Sequence, residues 1–271
     1  MLAGRQEAER LATLTLSFRV EENWRTDFCC SIDAAHRIVI TQRFADAGLA
    51  VFVFDYRGFG SSEGDPRQSI SIDRQLRDYE SAIAAAKRLP GVDPNAIVLW
   101  GVSLSGGHVI RVAADRDDVR AVIALTPLTD AVATARGILG QYRLSAAGRA
   151  TVDGVVSRVA VARGRTPVLM PVVARPGEPG GLTLAGAYEN YHAIAGPTWR
   201  NEVDAAVGQE VMKIRTKSYA KRLRARLLVQ IADFDNYVPP DAVARTAEYG
   251  RGWVHHYPCD HFDVWPGHDW F

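Results

Sequence analysis

The spacing of hydrophobic positions changes along the chain, and the changes mark out its elements. From about residue 38, continuous apolar runs alternate with stretches of helical spacing. "LAVFVFDY" (49–56) is an unbroken apolar run, the pattern of a strand buried on both faces of a parallel sheet. "DYRGFGSSEGDP" (55–66) follows as a glycine-rich loop. Ile72, Leu76, Tyr79, Ile83 and Ala86 recur at helical intervals and predict a helix over 72–89 that ends at "LPG". "AIVLW" (96–100) is the next predicted strand, a helix follows through "GHVIRVAAD", and "VRAVIALTP" (119–127) is a third strand. Near the other end, "RLLVQIAD" (226–233) predicts a strand, "PPDAVARTAEYG" (239–250) a helix and "WVHHYP" (253–258) the last strand.

Between these blocks, about residues 131–212 lose the regularity and become rich in Ala, Arg, Gly and Pro. There "TPVLMPVVARPGEPGG" reads as a short strand before a loop. Because strand and helix resume afterwards, the expectation is a helical or irregular cap inserted into a single domain spanning 1–271. Alternating helices and buried strands predict an α/β fold with a mostly parallel, doubly wound sheet. In such sheets chemistry collects at the carboxyl ends of the strands. The first 37 residues differ. "LTLSFRV" (14–20) alternates apolar and polar positions, as a half-exposed edge strand does, and "EENWRTDFCCSIDAAHR" predicts no element.

Composition narrows the classes. The chain has 271 residues, 47% apolar and 23% charged, enough for one large domain with its own core. A net charge of +1 gives no global field toward nucleic acid or an anionic membrane. The basic run "KIRTKSYAKRLRARLL", from Lys213 to Arg226, reads as a solvated helix face. Cys29, Cys30 and Cys259 form no disulfide framework and fit reduced thiols. The charged start "MLAGRQEAERLATL" lacks the apolar core of a secretory signal, and no stretch of about 18 apolar residues crosses a bilayer. A cytoplasmic protein is expected.

The candidate chemistry lies in "LWGVSLSGG" (99–107), where two serines follow a strand. A serine hydroxyl becomes a nucleophile when a base takes its proton and a third group holds the base's tautomer. On an α/β sheet it sits on a sharp strand-to-helix turn, close to the N–H groups of the helix N-terminus. If Ser103 is that residue, Trp100 closes the strand and Gly101 allows the tight approach. If it were Ser105, Gly101 would fall inside the strand. Strand length therefore favours Ser103, with Ser105 a small residue where glycine is usual. Asp235 lies in the loop "DFDNYVPP" after the next-to-last strand, with Asp233 the alternative nearer the strand end. His261 lies in "CDHFDVWPG" after the last strand, whereas His255 and His256 fall inside a strand and His108 inside a helix. The order Ser, Asp, His suits this sheet.

Other features carry less. "DYRGFGSSEG" has Gly58 and Gly60 after a strand but neither the third spaced glycine nor the lysine of a nucleotide loop. Cys259, Asp260 and His261 have no second cluster with metal-ligand spacing. Asp130 is a second-choice acid or a helix cap, and Trp199 and Tyr191 either line a pocket or pack the cap.

From "RFADAGLAVFVFDYRGFGSSEGDPRQ" through "LWGVSLSGGHVIRVAA" to "LLVQIADFDNYVPP" and "HFDVWPG", the chain resembles bacterial α/β-hydrolases. It resembles enzymes related to dienelactone hydrolase, serine aminopeptidase-like lipases and Xaa-Pro peptidase-like esterases, over roughly residues 43–130 and 197–271. The resemblance implies an α/β-hydrolase fold and a serine hydrolase of carboxylic esters. Peptide or amide cleavage, or acyl transfer, by the same residues is the alternative, and so is a catalytically weak binding protein. It implies Ser103 as nucleophile, His261 as general base and acid, Asp235 orienting His261, and the Leu104 backbone N–H in an oxyanion hole. It implies a small-molecule substrate, no cofactor and no metal. A His-Gly type loop, donor of the second oxyanion N–H, is expected near Asp27-Phe28-Cys29, where no such sequence stands. The chain also stops at "GHDWF", where relatives run on into a closing helix.

Overall fold

In a computed structural model, which describes residues 41–139, 144–196 and 198–264, four parallel strands form the framework. They are β1 (Ile97–Val102), β2 (Val119–Leu125), β5 (Arg226–Ala232) and β6 (Trp253–Tyr257), and they lie side by side in that order. Parallel neighbours need crossovers, and helices supply them: α2 (Ser103–Ala113) leads from β1 to β2, and α8 (Pro240–Tyr249) from β5 to β6. Registers bring the carboxyl ends level, with Val102 opposite Leu125, Leu125 opposite Gln230 and Ala232 opposite Tyr257.

The apolar periodicities become packing. In α1 (Ile72–Ala86), Ile72, Gln75, Tyr79 and Ile83 form the buried face, which packs on α2. Glu210 anchors the start of α1 by accepting the Ile72 N–H at 3.1 Å, a negative charge at the positive end of the helix. Val109 and Ile110 of α2, Val122 of β2 and Val229 of β5 are fully buried between helices and sheet.

Between β2 and β5 run α3 (Ala131–Leu139), α4 (Leu144–Ala162), β3 (Leu169–Met170), α5 (Ala187–Ala193), β4 (Val203–Asp204), α6 (Val207–Val211) and α7 (Lys217–Ala220). The short strand read in "TPVLMP" is β3, which pairs antiparallel with β4.

Three expectations are corrected. Residues 49–56 form no ladder strand with the described residues, and Val51 and Phe52 are exposed, so the run lacks the two-sided burial of a central parallel strand. The basic run from Lys213 is not one helix: it holds the four-residue α7 and enters β5 at Arg226, and the Thr216 N–H and hydroxyl both bond the Thr129 carbonyl and pull that point inside. The strand before the two serines runs on through Gly101 to Val102. The segments 14–20 and 27–29 lie outside the described residues.

Candidate active site

Ser103 stands where β1 becomes α2, with φ at +51°, a left-handed backbone rarely taken by residues other than glycine. That reversal, not the end of the strand at Trp100, turns the chain. Close passage of backbones explains the flanking glycines. A Cβ on Gly101 would lie 2.5 Å from the Ser105 carbonyl oxygen, and one on Gly106 would lie 2.8 Å from Cβ of Pro127. The turn is braced from the segment just after β2, where the Leu128 N–H donates to the Ser103 carbonyl at 2.8 Å.

Three of the predicted residues meet. The Ser103 hydroxyl lies 3.0 Å from Nε2 of His261, and Nδ1 of His261 lies 2.6 Å from Oδ2 of Asp235. Both distances are hydrogen bonds. Asp235 accepts on one side of the ring, so Nδ1 carries the proton and Nε2 presents its lone pair to the hydroxyl. The Asp235 and His261 side chains are 3% and 8% exposed, so their interaction is shielded from water.

Local structure fixes each group. Asp235 turns its other oxygen, Oδ1, to the backbone N–H groups of Tyr237 (2.8 Å) and Val238 (2.7 Å), an Asx turn just ahead of α8. This holds Oδ2 toward His261. The rings of Phe262 and Tyr237 lie 5.1 and 5.8 Å from the imidazole. Leu104 follows Ser103 in the first turn of α2, where the N–H groups lack intrahelical acceptors.

The alternatives fall elsewhere. Ser105 is bound to the turn itself: its hydroxyl donates to the Val102 carbonyl at 2.8 Å and accepts the Val102 N–H at 2.9 Å. Asp233 pairs at the surface with Nδ1 of His256, at 2.6 Å. Asp130 caps α3 by accepting the Val132 and Ala133 N–H groups. Cys259 is buried, and burial with nearby carboxylates, Asp263 first, pushes its thiol up to about 11, away from thiolate chemistry. Among the described residues no group of three His, Cys, Asp or Glu side chains could hold a metal ion. The glycine loop is closed on itself, with the Gly58 N–H on the Glu63 carbonyl and the Gln68 N–H on the Gly58 carbonyl.

Residues between β2 and β5 reach this neighbourhood. Tyr191 of α5 packs edge-on to Phe262 (5.8 Å) and beside Trp199 (5.3 Å). The Leu184 N–H donates to the Tyr237 hydroxyl at 2.9 Å. Sequence reasoning missed Leu128 and the two amides on Asp235. The aspartate ahead of "YVPP" carried the signal for the amides, since Asp before a proline-started helix is Asx-turn chemistry.

Comparisons with known proteins agree with this frame. The family model described as Serine aminopeptidase, S33, matches residues 34–251. The chain is 34% identical over 229 residues to the quorum-quenching protein AidA of Acinetobacter baumannii, covering 83% of this chain and 74% of that one. It is 35% identical over 148 residues to the thiohydrolase aneE of Aspergillus aculeatus, covering 54% of this chain and 46% of that one. Among solved structures, the α/β hydrolase GrgF of Penicillium sp. superposes with a TM-score of 0.70 at 21% identity, covering 86% of this chain and 79% of that one.

Proposed function

The chain belongs to the serine aminopeptidase S33 family of α/β-hydrolases, and we propose that it cleaves a carboxylic ester through an acyl-enzyme on Ser103. The observation that carries this reading is the unbroken hydrogen-bond chain from the Ser103 hydroxyl through His261 to Asp235 at the strand ends. Ser103 attacks the carbonyl carbon as Nε2 of His261 takes its proton. The oxyanion is met by the Leu104 N–H, and the imidazolium formed is stabilised by Asp235. His261 then protonates the departing alkoxide, and water attacks the acyl-enzyme by the same steps in reverse. Residues 131–212 act as a cap that helps to shape the substrate site, and the protein works in the cytoplasm on a small molecule.

A relative named as a thiohydrolase favours a thioester as the second substrate class. The carbonyl chemistry is the same, and only the leaving atom changes. A fluorophosphonate probe tests the shared mechanism. It labels Ser103 in the wild type, and p-nitrophenyl acetate hydrolysis disappears in Ser103→Ala. Persistent labelling in Ser103→Ala, lost instead in Ser105→Ala, would overturn the assignment.

A further inference from the structure

The helix α4 carries its apolar face on the wrong side for a helix held only by this fold. Val152, Val155, Val156 and Val159 recur at helical spacing and form one stripe, and they are 61, 51, 51 and 42% exposed. The opposite side meets the body through small and polar residues. A Cβ on Gly154 would lie 2.9 Å from the Ala205 carbonyl oxygen. Ser157 is fully buried, donating to Asp204 Oδ1 at 2.6 Å and accepting the Val168 N–H at 3.0 Å. An ordinary surface helix buries its apolar stripe and exposes its polar one; here the two are exchanged.

Charge indicates what the stripe meets. From Gly148 to Arg165 the exposed ionic groups are Arg149, Arg158, Arg163 and Arg165 against the single Asp153. Arg149, Val156 and Arg163 are seven residues apart, so the two arginines sit at the ends of the apolar face. A second copy of the chain fits poorly. Antiparallel pairing centred on the stripe sets Arg149 of each copy beside Arg163 of the other, and parallel pairing sets each arginine against itself. Four valines on the convex back of a helix also lack the aromatic anchors and pockets that carry protein–protein contacts. An anionic bilayer needs no shape complementarity, takes an apolar strip lying flat in its interface, and meets arginines with lipid phosphates.

We propose that the outer face of α4, from Arg149 to Arg163 in the turn just beyond it, docks the protein on an anionic lipid surface. The inference stands apart from the ester-cleavage reading, because it concerns where the protein sits and not what Ser103 does. Flotation of the full chain with phosphatidylcholine vesicles, with and without about a third phosphatidylglycerol, tests it. The wild type is expected to float with the anionic vesicles and to stay largely in solution with the neutral ones. Val155→Asp/Val156→Asp should lower the floated fraction about tenfold or more, with an unchanged circular dichroism spectrum. Arg149→Gln/Arg163→Gln, which leaves the apolar stripe intact, should bring anionic binding down to the neutral level and keeps the test decisive if the aspartate variant unfolds. The proposal is overturned if the wild type floats with neither vesicle, if it floats equally with both, or if neither variant changes its flotation. A dimer in sedimentation that Val155→Asp/Val156→Asp dissociates, without vesicle binding, would overturn it in favour of a second copy.

Discussion

Leu128 donates its backbone N–H to the carbonyl of Ser103 at 2.8 Å, so the segment following β2 holds the turn that presents the Ser103 hydroxyl. Pro127, one residue earlier, leaves no room for a side chain at position 106. Gly106→Val is expected to push α2 off this brace and displace Ser103 from His261. Misplacement of about 1 Å costs around 100-fold in rate, so kcat should fall by about that factor while KM changes less. Steady-state kinetics with a p-nitrophenyl ester, beside a thermal melt, checks this; an unchanged kcat in a folded variant would show that the brace is dispensable.

The two aspartates after β5 are expected to separate cleanly. Asp235→Asn keeps the shape of the Asx turn but offers an amide to His261, favouring the wrong tautomer, and should lower kcat by about 10⁴. Asp233→Asn breaks only an exposed pair with His256, an interaction worth about 0–1 kcal/mol, and should leave kcat near the wild-type value. Measuring both variants on one ester distinguishes the assignments, and equal losses would refute the role given to Asp235.

The two serines should separate in the opposite sense. Ser105→Ala removes both hydrogen bonds to the Val102 backbone at the head of α2, a capping loss of about 0.5–2 kcal/mol. It should lower the urea midpoint while most fluorophosphonate labelling remains. Ser103→Ala should abolish labelling with little change in stability, because alanine is no easier than serine at the positive φ of this turn.

Ser103, Asp235 and His261 could be placed together from sequence because each stands just beyond a strand end, Ser103 at the head of α2 and the other two in loops, and parallel strands bring such positions together. Strand length does not distinguish Ser103 from Ser105, since β1 runs through Gly101 to Val102, whereas the backbone reversal falls on Ser103. Leu128 was invisible because a main-chain N–H leaves no residue signature. The run 49–56 reads as a buried strand because its residues are apolar, but composition does not record that Val51 and Phe52 face solvent. The stripe from Val152 to Val159 has a period that sequence displays, but only the buried Ser157 and the crowded Gly154 show that the valines point away from the body.

The last prediction concerns acid stability and rests on His108, which is buried in α2 and takes no part in the candidate site. Its Nε2 lies 2.9 Å from Oε1 of Gln75 and donates to it, while Nδ1 is buried with no partner. A proton on Nδ1 would have no acceptor. Burial, aided by the nearby Arg111 charge, lowers its pKa to about 3. In the unfolded chain the ring titrates near its ordinary value of about 6.5. Between those values the unfolded state binds the proton and the folded state does not, so stability falls as pH drops through this window. The slope from this group approaches about 1.4 kcal/mol per pH unit well below 6.5. His108→Gln should be less stable than the wild type at pH 7.5 but lose less on acidification, so the gap between them narrows by pH 5. Urea unfolding of both proteins from pH 7.5 to pH 5 reads this directly, and a gap that stays constant would mean that His108 takes up its proton equally in both states.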